Sequence, residues 1–372
     1  MPTQKTRAAV AYAGKADFRI EDLNIEQPRA DEVLVEIKGV GLCHTDLTFS
    51  SGDIPYPFPS VFGHEGSGVV QAIGDNVTKV KVGDHVLITF RSCGDCDFCD
   101  ASDPSYCRTM PQLNVTGCRE DGSTNLSNAD GPVGSNFFGQ SSFASHSITY
   151  EENLVKIDED LPIELLGPLG CSIQTGAGSV MRSLSVPKGS SILITGAGPV
   201  GLSAVMAAAI QQCATIIVVE PMEKRRELAM EFGATHCVDP TAVEDLSAEI
   251  LKIVPLGVNN ALDTTARPDT LEVCFACLGT KGTLGLVGFS ATDSPLPGSV
   301  MGLITVGKSI KAISEGDSNP EEFIPELIGH YRAGRLPIDR MITSYKLSEI
   351  NKAIKEQKSG VCTKAILIPD SA

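Results

Sequence analysis

Along the first 170 residues, apolar positions come in short bursts: "VLVEIKGVGLC" (33–43), "SGVVQAIG" (67–74) and "HVLITF" (85–90), cut apart by glycine and proline. Bursts of this length bounded by turn residues predict strands of an antiparallel or barrel-like β unit. From about Cys171 the pattern changes. "SSILITGAGPVGLSAVMAAAIQQCATIIVVE" (190–220) reads as strand, glycine turn, small-residue helix and strand, which is one βαβ unit. Further strand-like runs at "THCVD" (235–239), "NNALDTT" (259–265) and "TLGLVGFS" (283–290) extend it to a doubly wound sheet. Past 316, "PEEFIPELIGHYRAGRL" (320–336) and "KLSEINKAIKEQKSG" (346–360) have helical spacing, and "TKAILIP" (363–369) reads as a closing strand. The predicted fold is α/β: a β-rich domain over 1–172, a parallel-sheet domain over 173–315, and a return to the first domain over 316–372. There is no internal repeat.

Composition narrows the class. The chain has 372 residues, is 42% hydrophobic, carries 20% charged residues and has no tryptophan, all within the globular range. No apolar run reaches the roughly 18 residues of a spanning helix. The start, "MPTQKTRAAVAY", lacks a signal-peptide layout, so a cytoplasmic location with reduced thiols is expected. A net charge of -16 argues against nucleic acid and anionic membrane as partners.

Two sets of residues carry chemistry. Cys93, Cys96, Cys99 and Cys107 are spaced C-x2-C-x2-C-x7-C in a turn-rich stretch over about 91–110. Such spacing can wrap one ion, zinc or an iron-sulfur cluster, where a redox pair needs only two thiols. Four protein ligands leave a tetrahedral zinc no open position, so this site is expected to be structural. Cys43, His64 and Cys171 stand at "GLCHTD", "GHEGSGVV" and "LGPLGCSIQTGAG". Two thiolates and an imidazole would leave a fourth position free, as at a catalytic zinc, although each residue alone reads equally as core. Gly196, Gly198 and Gly201 form G-x-G-x-x-G, with Val200 inside the loop, directly after a strand and before a helix. Glu220 ends the next strand, where an acid would bind the adenosine ribose and repel a 2′-phosphate. That favours NAD(H), with Arg225 and Arg226 close enough to temper the preference.

In order and wording, these motifs resemble the zinc-dependent medium-chain alcohol dehydrogenases across nearly the whole chain. The resemblance implies a GroES-like catalytic domain interrupted by a Rossmann domain. It implies catalytic zinc on Cys43, His64 and Cys171, and structural zinc on the four-cysteine lobe. Asp46 matches a carboxylate that orients a zinc ligand, and Glu65 one that approaches the metal during ligand exchange. His44 and Lys364 match pyrophosphate contacts, and Thr175 a position beside the nicotinamide. Thr45 matches a hydroxyl that accepts the substrate proton. Thr48 stands where the relay ends in histidine, so the last proton step would use water or another outlet. Phe90, Phe137 and Phe138 fall where the family lines its substrate channel, or are simply core.

"NFFGQSSFASHS" (136–147) resembles the aryl-alcohol branch. It implies a primary, aromatic or allylic alcohol oxidised to its aldehyde by hydride transfer to NAD, in a homodimer or homotetramer. The alternatives are a general primary, secondary or polyol alcohol dehydrogenase, a zinc-free quinone reductase of the same fold, or a zinc-stabilised nucleotide-binding protein without turnover. Cys274 and Cys277 read as buried thiols, and His85, His146, His236 and His330 carry no assigned role.

Overall fold

The structure, a computed structural model, describes residues 3–290 and 293–370. The chain divides into two compact units. One takes the chain up to Cys171, Asn319–Glu326 and everything from Asp339 on; the other takes Ser172–Ser318 and Leu327–Ile338. The sequence reading set the return at 316 and kept all that follows in the first unit. In the structure Leu327–Ile338 groups with the second unit, and the helix Pro320–Arg332 crosses from one unit to the other just after its internal Pro325.

The first unit is built on two sheets. In the larger one, Glu32–Gly41 lies between Gly66–Ile73 and the C-terminal strand Lys364–Ile368, both antiparallel to it, and also pairs with His146–Tyr150. Eight of its ten residues are buried, as the near-continuous apolar run predicts for a central strand. Buried Glu32 is the exception to its apolar character, and a bidentate pair with Arg119 at 2.6 and 2.9 Å satisfies it. The register Ile366↔Gly41 matters for the site, because it draws the chain's last strand against the segment that leads into Cys43. The smaller sheet runs Ser60–Val61, Thr3–Ala11, Arg19–Glu26, Leu126–Asn128, Gly131–Val133.

The second unit holds a six-stranded sheet in the order His236–Val238, Thr215–Val219, Ser191–Thr195, Val258–Asp263, Leu278–Leu286, Ser309–Ala312, every pairing parallel. The order reverses around Ser191–Thr195, so the carboxyl ends of that strand and its neighbours flank the crevice where such sheets take ligands. The helix Pro199–Ile210 follows directly and buries eight of its twelve residues. Its small residues allow the close packing: a Cβ on Gly176 of the helix Ser172–Gly178 would stand 2.0 Å from the Val200 carbonyl oxygen.

Candidate active site

Cys43 sits at the N-cap of the short helix His44–Ser50, in extended backbone. Asp46, in that helix's first turn, is fully buried and accepts three hydrogen bonds. Its Oδ2 takes the Cys43 N–H at 3.0 Å, and its Oδ1 takes the Gly63 N–H at 3.0 Å and His64 Nδ1 at 2.8 Å. An imidazole that donates from Nδ1 presents the Nε2 lone pair, and Nε2 lies 3.2 Å from Cys171 Sγ. Ligand atoms of Cys43, His64, Glu65 and Cys171 all lie within 4.8 Å of one another. Two thiolates with one imidazole are a donor set that suits zinc, and they fit the ion here. A hydrogen bond from Cys171, with the His64 and Lys364 charges, holds the Cys43 thiol well below its usual range against burial. Burial works to lower the His64 value, but Asp46 and Cys43 outweigh it and raise it well above normal.

Glu65 and Asp46 are both fully buried, so neither is an ordinary surface carboxylate. Lys364 is also fully buried; its Nζ lies 2.5 Å from Glu65 Oε2 and donates to the Leu42 carbonyl at 3.1 Å. Both bonds hold the ammonium inside the first unit; the resemblance implies a pyrophosphate contact for the same residue. Space for the pair depends on Gly41, where a Cβ would stand 1.9 Å from Glu65 Oε2. Sequence reasoning missed Gly41, and it missed Gln140, which donates to the His64 carbonyl at 2.9 Å and accepts from Gly66 N–H at 3.0 Å. Neither residue carries a local signal, because each acts on a segment distant in sequence.

Thr45 Oγ1 lies 3.9 Å from Cys43 Sγ. Thr48 donates its hydroxyl to the His44 carbonyl at 3.1 Å, one turn back in its own helix. His44 itself is exposed. Phe137 and Phe138 both pack on the His64 ring: Phe138 at 4.6 Å between centroids and 34° between planes, Phe137 at 5.7 Å and 84°. Phe138 holds a left-handed backbone, φ 53° and ψ 39°, a conformation that is strained for an aromatic residue. Phe90 is buried too, and lines a cavity of about 190 Å³ beside the four-cysteine lobe together with Ser92, Gly94 and Cys99.

In that lobe Cys93 and Cys99 sulfurs stand 3.9 Å apart and Cys96 and Cys99 sulfurs 3.6 Å apart. These spacings exclude disulfides. They fit four sulfurs around one zinc, which at about 2.3 Å from the ion stand roughly 3.8 Å from one another. Backbone N–H groups of Arg108 and Cys99 pull the Cys96 thiol down to about 6, whereas burial pushes the Cys93 thiol up to about 12 and raises Cys99 as well.

In the second unit, the carboxyl ends of the strands open on a cleft of about 690 Å³ lined by Gly196, Gly198, Glu220, Arg225, Thr264 and Arg267, among others. Gly196 takes φ +87°, and a Cβ on Gly201 would stand 1.9 Å from the Gly196 carbonyl oxygen. Both positions therefore require glycine. Leu202 N–H closes the first helical turn on Gly198 O at 2.8 Å. Among the described residues the N–H groups of Gly198, Val200 and Gly201 have no protein acceptor, and a helix start with open donors suits a phosphate group. Arg226 is committed elsewhere, to the Glu220 and Pro221 carbonyls and to Asp239. Arg225 is thus the arginine of that pair that faces the cleft. Thr175 donates to Glu315 Oε2 at 3.3 Å. Cys274 and Cys277 are buried.

A β-rich unit holding a two-thiolate, one-imidazole set, in one chain with a parallel-sheet unit that carries a glycine-loop crevice, defines a zinc-type dehydrogenase. Comparison with known proteins agrees. The family profile "Alcohol dehydrogenase GroES-like domain" matches residues 29–159 and "Zinc-binding dehydrogenase" matches 199–329. The geraniol dehydrogenase of Castellaniella defragrans is 44% identical over 97% of both chains. Among crystal structures, an alcohol dehydrogenase zinc-binding domain protein from Burkholderia ambifaria is 45% identical, with TM-score 0.97 over 100% of both chains. The benzyl alcohol dehydrogenase of Acinetobacter calcoaceticus is 41% identical, with TM-score 0.95 over 99% of this chain and 100% of that one. The chain belongs to the zinc-dependent medium-chain alcohol dehydrogenase family, and it is an oxidoreductase of that family.

Proposed function

We propose that the protein interconverts a primary aromatic or allylic alcohol and its aldehyde, with NAD(H) as hydride carrier and zinc at both cysteine sites. The observation that carries the substrate class is the pair of phenylalanine rings against His64, a wall on which a flat unsaturated carbon skeleton stacks. The names of two relatives, geraniol dehydrogenase and benzyl alcohol dehydrogenase, belong to an allylic and an aromatic substrate and support the same class.

Zinc on Cys43, His64 and Cys171 would supply the Lewis acidity that makes an alcohol hydroxyl acidic near neutral pH. The chain's own residues do the rest. Asp46 fixes the His64 tautomer, and Phe137 and Phe138 orient the hydrocarbon and exclude water. Thr45 takes the hydroxyl proton. The onward outlet is water or another group, since Thr48 already donates into its own helix. Glu65, paired with Lys364, stands by the ligand set for exchange steps. For the coenzyme, the Gly196–Gly201 loop with Val200 takes the pyrophosphate and Glu220 the adenosine ribose, with Arg225 beside it. Thr175, His44 and Lys364 are the proposed further coenzyme contacts, and Phe90 a third wall. A cytoplasmic homodimer or homotetramer is part of the reading: the helix Val300–Val306 has no buried residue and exposes Val300, Met301 and Ile304, a face that suits a second copy.

The test is a coenzyme-absorbance screen of aromatic, allylic and aliphatic alcohols with NAD and NADP, alongside zinc analysis. Aromatic or allylic alcohols with NAD should lead, with two zinc ions per chain. Cys43→Ser and His64→Ala should abolish turnover in a folded protein that still binds NADH. Near-parental activity in either variant would remove the metal assignment, and a preference for short aliphatic alcohols would remove the substrate class.

A further inference from the structure

Glu220 does more in this fold than face a ribose. Its carboxylate is almost fully buried, and each oxygen already accepts one backbone N–H: Oε2 from Ala197 at 2.8 Å and Oε1 from Met222 at 3.0 Å. Ala197 is the middle residue of Gly196-Ala197-Gly198 and is fully buried. The residues around it are tied down in the same way. Gly196 N–H donates to the Val219 carbonyl at 2.8 Å, and the Thr264 hydroxyl holds the Thr195 carbonyl at 2.8 Å. Glu220 is itself buttressed, by its N–H on the Val238 carbonyl at 3.1 Å and by Arg226 Nη1 on its own carbonyl at 2.8 Å. A charged acceptor held from both sides thus reaches across from the end of one strand to fix the turn that follows its neighbour.

We propose that Glu220 is a positioning residue for the glycine loop: its bond to the Ala197 N–H sets where the open N–H groups of Gly198, Val200 and Gly201 point. The inference rests on the reading of this unit as dinucleotide-binding, and it adds a second role to the ribose contact proposed above. Physically, removing the acceptor strands a buried donor, which must then find water by moving the turn. Gly198 is the next residue and its Cβ position is open space. The second lone pair on each carboxylate oxygen still leaves Glu220 able to receive ribose hydroxyls.

The two roles separate with two nucleotides. AMP brings adenine, ribose and one phosphate to the site, whereas ADP adds the second phosphate, so more of its binding rests on the loop. Losing a ribose contact alone weakens both equally, whereas a misplaced loop weakens ADP selectively. Isothermal titration of the full-length, zinc-loaded protein with AMP and with ADP should show that Glu220→Ala reduces the ADP-to-AMP affinity ratio by about fivefold or more, the scale of a lost charge-assisted bond. Glu220→Gln, which keeps an oxygen for the Ala197 N–H, should retain most of the ratio. Should Glu220→Ala fail to fold, Glu220→Asp, with its carboxylate drawn back by one methylene, carries the same comparison. An unchanged ratio in Glu220→Ala or Glu220→Asp, with both affinities reduced alike, overturns the positioning role and leaves the dinucleotide reading standing. If the parent protein binds neither AMP nor ADP, the dinucleotide reading falls and the inference with it.

Discussion

Asp46 joins three segments through one carboxylate: the helix start at Cys43, the turn at Gly63 and the ring of His64. Asp46→Asn keeps the shape but turns one acceptor oxygen into a donor, so either the Cys43 bond or the Gly63 and His64 bonds become repulsions. Loss of such an outer partner typically weakens a metal site by about 10–100-fold. We expect zinc to leave the variant correspondingly faster under a chelator, and turnover to fall with it. Zinc retention equal to the parent's would show that the Asp46 bond to His64 is not needed by the ligand. Tyr56 gives the opposite case. It packs among Phe49, Phe62 and Phe137, yet its buried hydroxyl has no hydrogen-bond partner among the described residues. Tyr56→Phe should therefore leave stability unchanged or raise it by about 1 kcal/mol in denaturant unfolding. A clear loss would reveal a bound partner for the hydroxyl. At this scale the sequence reveals residue types but not their company. Lys364 looks like any strand lysine until the register Ile366↔Gly41 brings it to Glu65.

At the scale of elements, the four-cysteine lobe shows what short-range spacing can and cannot carry. All four ligands fall within one stretch, so their convergence is legible without a fold. Cys43, His64 and Cys171 converge only because strands far apart in the chain pair, and their meaning came from family resemblance instead. The main strands and the late helices were also legible, because each has a run of apolar spacing long enough to show a period. The three-residue strands Leu126–Asn128 and Gly131–Val133 are too short to show one. Within the lobe the helix Asp97–Asp100 has no buried residue, so packing contributes little and a bound metal must organise the turns. Cys99→Ser should then lose one zinc per chain and lower the melting temperature by about 5 °C, while the Michaelis constants of surviving folded protein stay near parental. Metal analysis, melting and steady-state kinetics on one preparation decide it. Lost turnover at an unchanged melting temperature would move the chemistry to the four cysteines.

For the whole molecule the governing fact is 46 acidic against 30 basic residues. Many surface carboxylates have local partners that hold them below their usual range: Lys38 for Glu36, Arg108 for Asp97, Arg267 for Asp269 and Lys352 for Glu349. A carboxyl with a depressed folded value binds fewer protons folded than unfolded. Its contribution is therefore complete above the unfolded value of about 4 and is lost as pH falls through that value and below. Acid unfolding should begin there. Above it, stability reflects a contest between these pairs and the repulsion of sixteen excess negative charges. Exposed pairs contribute only about 0–1 kcal/mol each, whereas the repulsion is summed over the molecule and is screened once the Debye length shrinks to about 10 Å or less. Repulsion should win. Raising sodium chloride from about 20 mM to about 300 mM at pH 8 should then raise the melting temperature. The gain should shrink toward pH 5, close to the isoelectric point of about 4.8, where the net charge falls toward zero. Melting curves over that grid of salt and pH test the balance. A melting temperature that drops with salt at pH 8 would mean that the ion pairs, and not the net charge, set the stability of this surface.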